Sequence, residues 1–396
     1  MRTTFPSKYH KELSDETTRA TTLACLQEHI SLTIAGTKAS TEMAFEVMVH
    51  AASTKQSIEA SCAELVGSAA SNTLRAYMNE AFVAEGLAAL EDEVNAALAA
   101  KLPKQIRKYK REVAIDLHDQ PFYGKDTGLL SYACRGQAKA GTTYFYRIAS
   151  VYLILDGLRF TLAVMFVYGE RNLAECIAEL VNQVKALAVR IGCLYLDRGF
   201  ASIEVYDYLS QAHIPAIIAC PIRGKQAGTK ALCQGRKSYS SKHTFRSQHA
   251  HSTQVVAVVR AYSHTGERGQ AKKRQARWFL YVLIHLKLSP QAVHARYRYR
   301  FGIESSYRLL RQMRVYTNSR NPALRFLFLA LALILLTIWL CLRFRFCQQP
   351  KRGRQEYSLD EAAFRLHRFA TFLRHAIERR YGVRFSIQAA ALPVGV

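Results

Sequence analysis

The chain has 396 residues, of which 49% are hydrophobic, and its formal net charge is +25. This length and apolar content are typical of a globular protein with two or three domains. Its nine cysteines are scattered and form no CxxC pair, which excludes a zinc ribbon or a disulfide framework. No apolar run typical of a secretory signal stands near the N-terminus, so we expect a cytoplasmic, nucleoid-associated protein with reduced cysteines in its core.

The positive charge is unevenly distributed. Residues 1–100 carry 7 basic and 13 acidic side chains, whereas the rest of the chain carries 48 basic and 17 acidic ones. This asymmetry predicts a large polyanion-binding surface in the C-terminal three-quarters of the chain, with nucleic acid as the expected partner. A solvated face or a membrane-surface contact is the alternative.

Residues 1–103 are predicted to form an all-α N-terminal DNA-binding domain. Within it, residues 57–79 have the pattern of a helix, a turn at Gly67 and a second helix that Ser71 could cap. In a helix-turn-helix the second helix would read bases from its first turns, through Asn72, Thr73 and Arg75. An ordinary helical hairpin is the alternative, because the segment is acidic.

The next segments predict an α/β domain with a mixed sheet. Two β-rich runs flank Asp156-Gly157, a two-residue hairpin signal. In chain order the expected elements are strands at 112–117, 144–155 and 158–168, a helix at 172–191, a strand at 193–196, a helix at 202–212 and a strand at 214–220. Residues 221–285 then form a predicted basic β insertion.

Three further elements complete the chain. Ser289-Pro290 predicts the start of a helix. The 17 uncharged residues at 326–342 are too short to span a bilayer easily, so we expect a buried helix, with a membrane span as the alternative. Ser358 and Glu361 form a capping box that would open a basic C-terminal helical tail at 356–396.

The helix after Pro290 carries a distinctive charge pattern. Between residues 291 and 325 there are eight Lys/Arg residues, and Glu304 is the only acid. On a helical period one stripe, about 40° to either side of Glu304, would contain Tyr297, Arg300, Arg308 and Arg311. An Arg–Glu surface ion pair is the simplest interpretation. A carboxylate among phosphate-binding guanidiniums is the functional one.

Two aspartates suggest which interpretation applies. Asp116 ends the predicted strand Val113-Ala114-Ile115, and Asp197 ends the strand Leu194-Tyr195-Leu196. Three acids from two strands and a helix could hold two Mg²⁺ ions, which activate a nucleophile and stabilise a leaving oxygen in phosphodiester cleavage. Strand-end aspartates also commonly begin turns, and Asp119 and Asp126 compete with Asp116 for the first position.

The pattern Tyr297-x2-Arg300-x3-Glu304-x6-Arg311 resembles the Y-x2-R-x3-E-x6-K signature of a large group of bacterial and archaeal insertion-sequence DDE transposases. Asp197-x-Gly199-Phe200 is similar to the group's second-aspartate motif, and Arg223 is similar to the arginine that follows it. Arg311 stands where the signature has lysine, and the two cations are not equivalent in contact geometry.

This resemblance implies an RNase H-like catalytic domain at 110–345 with Asp116, Asp197 and Glu304 as catalytic and metal-binding residues. It also implies that Tyr297 and Arg311 handle transposon-end DNA, and we expect Arg300, Arg308 and Arg223 to contact phosphates. The expected activity is Mg²⁺-dependent cleavage at transposon ends and strand transfer, with Mn²⁺ as a substitute ion.

The expected partners are double-stranded DNA, both terminal inverted repeats and target, and further copies of this chain assembled on DNA; no membrane is expected. Three alternatives remain at this point. They are an RNase H-like nuclease without strand transfer, a non-catalytic helix-turn-helix DNA-binding protein, and a membrane protein anchored by residues 326–342.

Overall fold

The computed structural model of the protein describes residues 12–125, 127–155, 158–169, 171–224, 228–265, 273–298, 309–350, 357–360 and 362–386. The chain divides into two compact units. The helical unit combines Met1–Lys101 with Arg308–Val396, and the sheet unit consists of Leu102–Tyr307.

The α-helices with both ends in the described part of the chain are α1 (Asp15–His29), α2 (Thr41–Thr54), α3 (Ile58–Glu64), α4 (Ser71–Ala81), α5 (Leu87–Ala99), α6 (Thr127–Leu130), α7 (Leu173–Ala186), α8 (Ile203–Gln211), α9 (Pro290–Arg298), α10 (Pro322–Phe346) and α11 (Leu366–Tyr381). The strands are β1 (Arg111–Pro121), β2 (Cys134–Lys139), β3 (Thr142–Leu155), β4 (Leu158–Val167), β5 (Ile191–Leu196), β6 (Ala216–Cys220), β7 (Tyr239–Arg246), β8 (His251–Thr265), β9 (Lys273–Ile284), β10 (Gln348–Pro350) and β11 (Tyr357–Leu359).

Side-chain caps begin many of these helices. The capping residues, whose side-chain oxygens accept backbone N–H groups of the first turn, include Ser14, Ser40, Ser57, Asn172, Ser202 and Asn321. Two predicted caps are wrong. Ser71 is the first helical residue of α4, preceded by Ala70 without a side-chain cap. Ser358 lies in β11, and the C-terminal helix begins only at Leu366.

The helical unit is held together by a buried charge network between its N-terminal and C-terminal parts. Glu46 of α2 is fully buried, and its Oε1 accepts from Arg19 Nε of α1 at 2.6 Å. The Tyr381 hydroxyl at the end of α11 donates to the other oxygen of the same carboxylate, and Arg380 Nε lies 3.4 Å from it. The predicted C-terminal tail is therefore not separate, because α11 is a core helix of this unit.

Helix α10 also belongs to the helical unit, where it contacts α5. The sheet unit ends at Tyr307, so the predicted catalytic domain at 110–345 includes residues of both compact units. With 25 residues α10 is long and apolar enough to cross a membrane, but 89% of its most apolar window is buried within the protein. A core helix has the same composition, so the pattern is weak support for a membrane span.

The sheet unit contains one mixed nine-stranded sheet in the order β2-β3-β1-β5-β6-β9-β8-β7, with β4 also pairing with β3. Strands β1, β5 and β6 are parallel to one another and lie at its centre. The predicted hairpin is present as β3 and β4, which pair up to Leu155 and Leu158. The predicted basic insertion forms β7 to β9, which extend the same sheet beyond β6. The α/β fold with a mixed sheet and an all-α N-terminal region is therefore confirmed.

Candidate active site

The strand register relates Asp116 to Asp197. In the parallel ladder between β1 and β5, Val113 pairs with Leu194 and Ala114 pairs with Tyr195. Each aspartate lies two residues beyond the Ala114–Tyr195 pair. Because side chains alternate between the faces of a sheet, both carboxylates project from the face that carries Ala114 and Tyr195. Both aspartates are half-buried.

Asp116 differs from the prediction in one respect, because it does not end its strand. Strand β1 continues to Pro121 through its pairing with β3, whereas its pairing with β5 stops at Ala114. Asp116 thus stands where two neighbouring strands separate.

Asp119, the alternative to Asp116 as the first catalytic acid, forms an ion pair with Arg147. Its two carboxylate oxygens accept from Arg147 Nε at 2.7 Å and from a terminal guanidinium nitrogen at 3.1 Å. The two residues are also direct partners across β1 and β3. A bidentate pair of this kind stabilises the ladder, which gives Asp119 a structural role between β1 and β3. Asp126, the other competitor, lies outside the described residues.

Backbone geometry orients Asp197. Its Oδ1 accepts the N–H of Gly199 at 2.7 Å and caps the 3-10 turn Arg198–Phe200. A Cβ atom at position 199 would lie only 3.0 Å from the same oxygen, which explains the glycine of the motif. Phe200 is fully buried and anchors the turn to the core. The motif thus fixes one carboxylate at the edge of the sheet.

Helix α9 packs on the face that carries the two aspartates. Its residues Val293 and Tyr297 share a buried cluster with Ala114 and Tyr195 of that face. The Tyr297 hydroxyl donates to the carbonyl oxygen of Leu196 at 3.0 Å, directly before Asp197. This bond ties the helix to the end of β5.

The environment of Tyr297 is therefore that of a core residue, whereas the sequence predicted a residue that contacts DNA. Its side chain is only 4% exposed, and its ring lies 4.8 Å from that of Tyr281 and 6.4 Å from that of Tyr195. A ring buried in this way is held mainly by the protein core. Its contacts hold α9 in place.

A second polar contact joins α9 to β9 of the basic insertion. The Tyr281 hydroxyl of β9 lies 2.8 Å from His294 Nδ1. Burial, together with the nearby Arg298 charge, lowers the pKa of His294 below its usual value. The neutral ring can then accept a hydrogen bond from the Tyr281 hydroxyl. The sequence contained no signal for this pair, because the two residues lie on different elements.

The remaining predicted residues of the charged helix are not all observed. Glu304, Arg300 and Arg308 lie outside the described residues. Arg311 is exposed and lies in a turn of the helical unit, after helical residues 309 and 310. The helical stripe predicted through Arg311 is therefore interrupted at that residue.

A cavity of about 500 Å³ lies beside Asp197. Its wall includes two cations, Arg198 and Arg223, and aromatic side chains of β9 and α9, namely Trp278, Phe279, Tyr281 and Tyr297. Arg198 and Arg223 are exposed. The site therefore combines a carboxylate, exposed guanidiniums and a concave apolar wall, which suits a phosphodiester substrate.

The loop that carries Arg223 is fixed by two residues that the sequence did not reveal. Thr229 accepts the N–H of Arg223 at 2.8 Å and donates to the carbonyl of Pro221 at 2.7 Å. Gly228 permits this closure, because a Cβ there would lie 2.4 Å from the Arg223 carbonyl oxygen. These contacts position the start of the Arg223 side chain at the cavity.

The predicted helix-turn-helix residues lie on the surface of the helical unit. Helices α3 and α4 contact each other, and Asn72 and Arg75 are exposed while Thr73 is half-buried. The turn between them is attached to the end of α11, since the N–H of Gly67 donates to the Tyr381 carbonyl at 2.9 Å. The surface exposure of Asn72 and Arg75 is compatible with base contacts.

The donor set at the site suits a hard divalent cation. Two carboxylates at one level of adjacent strands provide the oxygen ligands that Mg²⁺ prefers. Among the described residues no group of three His, Cys, Asp or Glu side chains could hold a metal ion. A complete set would need a further acid, and Glu304 lies outside the described part of the chain.

Comparison with known families agrees with this architecture. A family model described as Transposase DDE domain matches residues 108–339, which is more than half of the chain. The chain belongs to this family of transposase domains. A search of curated proteins found no match.

Among solved structures, the chain is similar to one in the cryo-EM structure of the piggyBac transposase synaptic complex with hairpin DNA. The TM-score is 0.55 at 13% identity, and the alignment covers 93% of this chain and 76% of that one. At this identity the likeness concerns the fold. It extends over both units of the chain described here.

Proposed function

We propose that the protein is a DNA transposase that cleaves at transposon ends and transfers the resulting 3′-OH end into target DNA. The observation that carries this proposal is the alignment of Asp116 with Asp197 under α9, the helix that leads towards Glu304. Membership of the DDE family supports the same reaction class. The nuclease alternative shares this site and lacks only strand transfer.

Asp116, Asp197 and Glu304 would hold the metal ions, Mg²⁺ or Mn²⁺. When bound, such ions lower the pKa of an attacking water or hydroxyl and stabilise the leaving oxygen. The protein's own contribution is orientation. Gly199 fixes the Asp197 carboxylate, and Tyr297 holds α9 against the end of β5.

The cations around the cavity would bind the DNA backbone. Arg198 and Arg223 lie beside Asp197, and guanidiniums bind phosphate oxygens with two parallel hydrogen bonds. Residues 221–280 contain thirteen Lys/Arg residues and one acid, so the insertion would clamp flanking DNA. Binding of terminal-repeat and target DNA should therefore weaken steeply with salt.

The proposal also includes binding of double-stranded DNA and assembly of several copies of the chain on it. The protein would act as a homo-oligomer on paired transposon ends, and Arg311, Arg300 and Arg308 would contribute phosphate contacts. Asn72, Thr73 and Arg75 would contact bases of the terminal repeat through the first turns of α4.

The test is a cleavage assay on DNA that carries the flanking inverted repeat, with Mg²⁺, comparing wild type with Asp197→Asn. Asp92→Asn is the matched control, because Asp92 is an exposed acid of the helical unit. Loss of cleavage only in Asp197→Asn supports the proposal, and equal activity of both variants contradicts it. A pre-cut 3′-OH end then separates a transposase, which joins it to target DNA, from a nuclease, which does not.

A non-catalytic DNA-binding regulator gives a third outcome in the same assay. It would bind terminal-repeat DNA tightly without Mg²⁺, and binding would survive replacement of both aspartates. Cleavage would then be absent from the wild-type protein as well.

A further inference from the structure

A second basic surface lies at the opposite end of the central strands from the two aspartates. It is formed by the four segments that precede β1, β5 and β6 or follow β9, namely residues 102–111, 185–192, 211–215 and 284–288. These segments contain eight Lys/Arg residues and no Asp or Glu. We call this surface the basic edge.

Direct contacts join the four segments into one surface. Arg107 Nε donates to the carbonyl of Leu187 at 2.9 Å, and a terminal nitrogen of Arg190 donates to the carbonyl of Lys108 at 2.9 Å. The rings of His213 and His285 lie 5.1 Å apart. A depression of about 530 Å³ between the loops is lined by cationic side chains that include Lys185 and Arg190.

Helix dipoles are too weak to explain this concentration of cations. Helices α7 and α8 both end at the basic edge, and each C-terminus carries about half a negative charge. Together they offset about one of the eight cations. The basic edge therefore retains a strong positive potential, which would attract a polyanionic ligand.

The exposed groups match a nucleic-acid backbone. Lys104, Lys110 and Lys185 are exposed. Tyr109 is 58% exposed, and its ring lies 5.4 Å from Lys108 Nζ and 5.5 Å from the Arg111 guanidinium carbon. An exposed aromatic ring beside cations is typical of nucleic-acid surfaces. The guanidiniums of Arg107 and Arg190 each carry five N–H donors, enough to bind phosphate beyond their carbonyl contacts.

We propose that the basic edge binds the phosphate backbone of a second duplex DNA segment, separate from the one at the aspartates. Strand β5 has six residues, so the two surfaces lie about 20 Å apart at opposite ends of the sheet. Because the two surfaces lie at opposite ends of the strands, we assign a separate duplex to each. The role as a second segment rests on the proposed function, whereas DNA binding by the basic edge does not.

The test is the salt dependence of binding to a duplex that lacks the terminal repeat. The triple variant Lys104→Gln, Lys110→Gln, Lys185→Gln removes three exposed cations of the basic edge. The control triple Lys38→Gln, Lys55→Gln, Lys139→Gln removes three exposed cations elsewhere. The slope of log K against log salt should become shallower by roughly 2–3 in the first variant and by less than about 1 in the control.

Lysine-to-arginine variants and a vesicle flotation assay test whether the charge of the basic edge binds DNA or a membrane surface. Replacing the same three lysines by arginine should restore the slope, because the positive charge is kept. Equal slopes for test and control variants would overturn the proposal. So would unchanged DNA binding together with loss of flotation on vesicles of an anionic phospholipid, which would assign the basic edge to a membrane surface.

The proposed function can fail independently of this inference. Cleavage of a short terminal-repeat duplex depends on Asp197 and not on the three lysines, whereas binding of repeat-free DNA depends on the lysines and not on Asp197. A variant Asp197→Asn should therefore bind repeat-free DNA with the wild-type slope.

Discussion

The two units of this protein use charged residues in opposite ways. In the helical unit, Glu46 is fully buried and is paired with Arg19, Arg380 and Tyr381. In the sheet unit, Asp197 is half-buried and oriented by a backbone N–H, while the exposed Arg198 and Arg223 line a cavity beside it. Charges that neutralise one another stabilise the fold, whereas charges arranged around a cavity are suited to a ligand.

The sharpest test of this contrast is Asp197→Asn. The substitution keeps the size and the acceptor oxygen that caps the 3-10 turn, so the unfolding free energy should change little. Cleavage should fall by roughly a thousandfold, because several kcal/mol of transition-state stabilisation depends on the carboxylate charge. Single-turnover cleavage and urea denaturation measure the two effects separately.

Glu46→Gln makes the corresponding change in the helical unit, where it removes the charge of a buried carboxylate. It leaves the Arg19 guanidinium, whose residue is 7% exposed, without its buried counter-charge. Breaking a buried pair costs about 3–5 kcal/mol of unfolding free energy. The control is Glu42→Gln, whose half-exposed pair with Arg19 should contribute about 0–1 kcal/mol. Similar midpoints for both variants in urea would contradict the buried role of Glu46.

Gly199→Ala tests how the Asp197 carboxylate is oriented. The added Cβ would lie 3.0 Å from Asp197 Oδ1 and should displace it by a few tenths of an ångström. We expect cleavage to fall about tenfold, since site geometry tolerates little displacement. In the control Gly86→Ala the new Cβ meets only ordinary contacts. Unchanged cleavage by Gly199→Ala would remove the glycine from the site.

Tyr297→Phe separates packing from DNA contact. Loss of the hydroxyl removes its bond to Leu196 and should cost about 1 kcal/mol of unfolding free energy. The salt slope of DNA binding should stay at the wild-type value, because the ring is buried. A shallower slope would instead support the DNA contact that the signature predicted.

The smallest expected effect is a pH dependence of stability. Burial lowers the folded-state pKa of His50 in the helical unit and of His294 in the sheet unit. Below about pH 6.5 the unfolded state therefore binds more protons than the folded state. Thermal midpoints should be constant above that pH and should fall as pH decreases further. His294→Gln should show a shallower decline, and an identical decline would exclude His294 as a contributor.

Local patterns explain why the secondary structure was largely predictable. The hairpin of β3 and β4, the start of α9 at Pro290 and the amphipathic α8 all depend on neighbours within a few residues. The predicted cap at Ser358 was wrong although its pattern was correct, because residues 357–359 pair instead with β10. Tertiary pairing can override a local capping signal of about 1 kcal/mol.

The candidate site also contains features that local sequence predicts and features that depend on tertiary contacts. The turn of the D-x-G-F motif at Asp197 could be predicted from the sequence, because its geometry involves only residues 197–200. The pairing of Asp119 with Arg147 and the position of Asp116 two residues beyond the Ala114–Tyr195 pair depend instead on register between strands that are distant in the chain. Only the tertiary structure decided that Tyr297 is a buried anchor and that α10 and α11 complete the helical unit. Hydrophobic burial and ion pairing between distant segments carry no local pattern, and this is why the sequence could not reveal them.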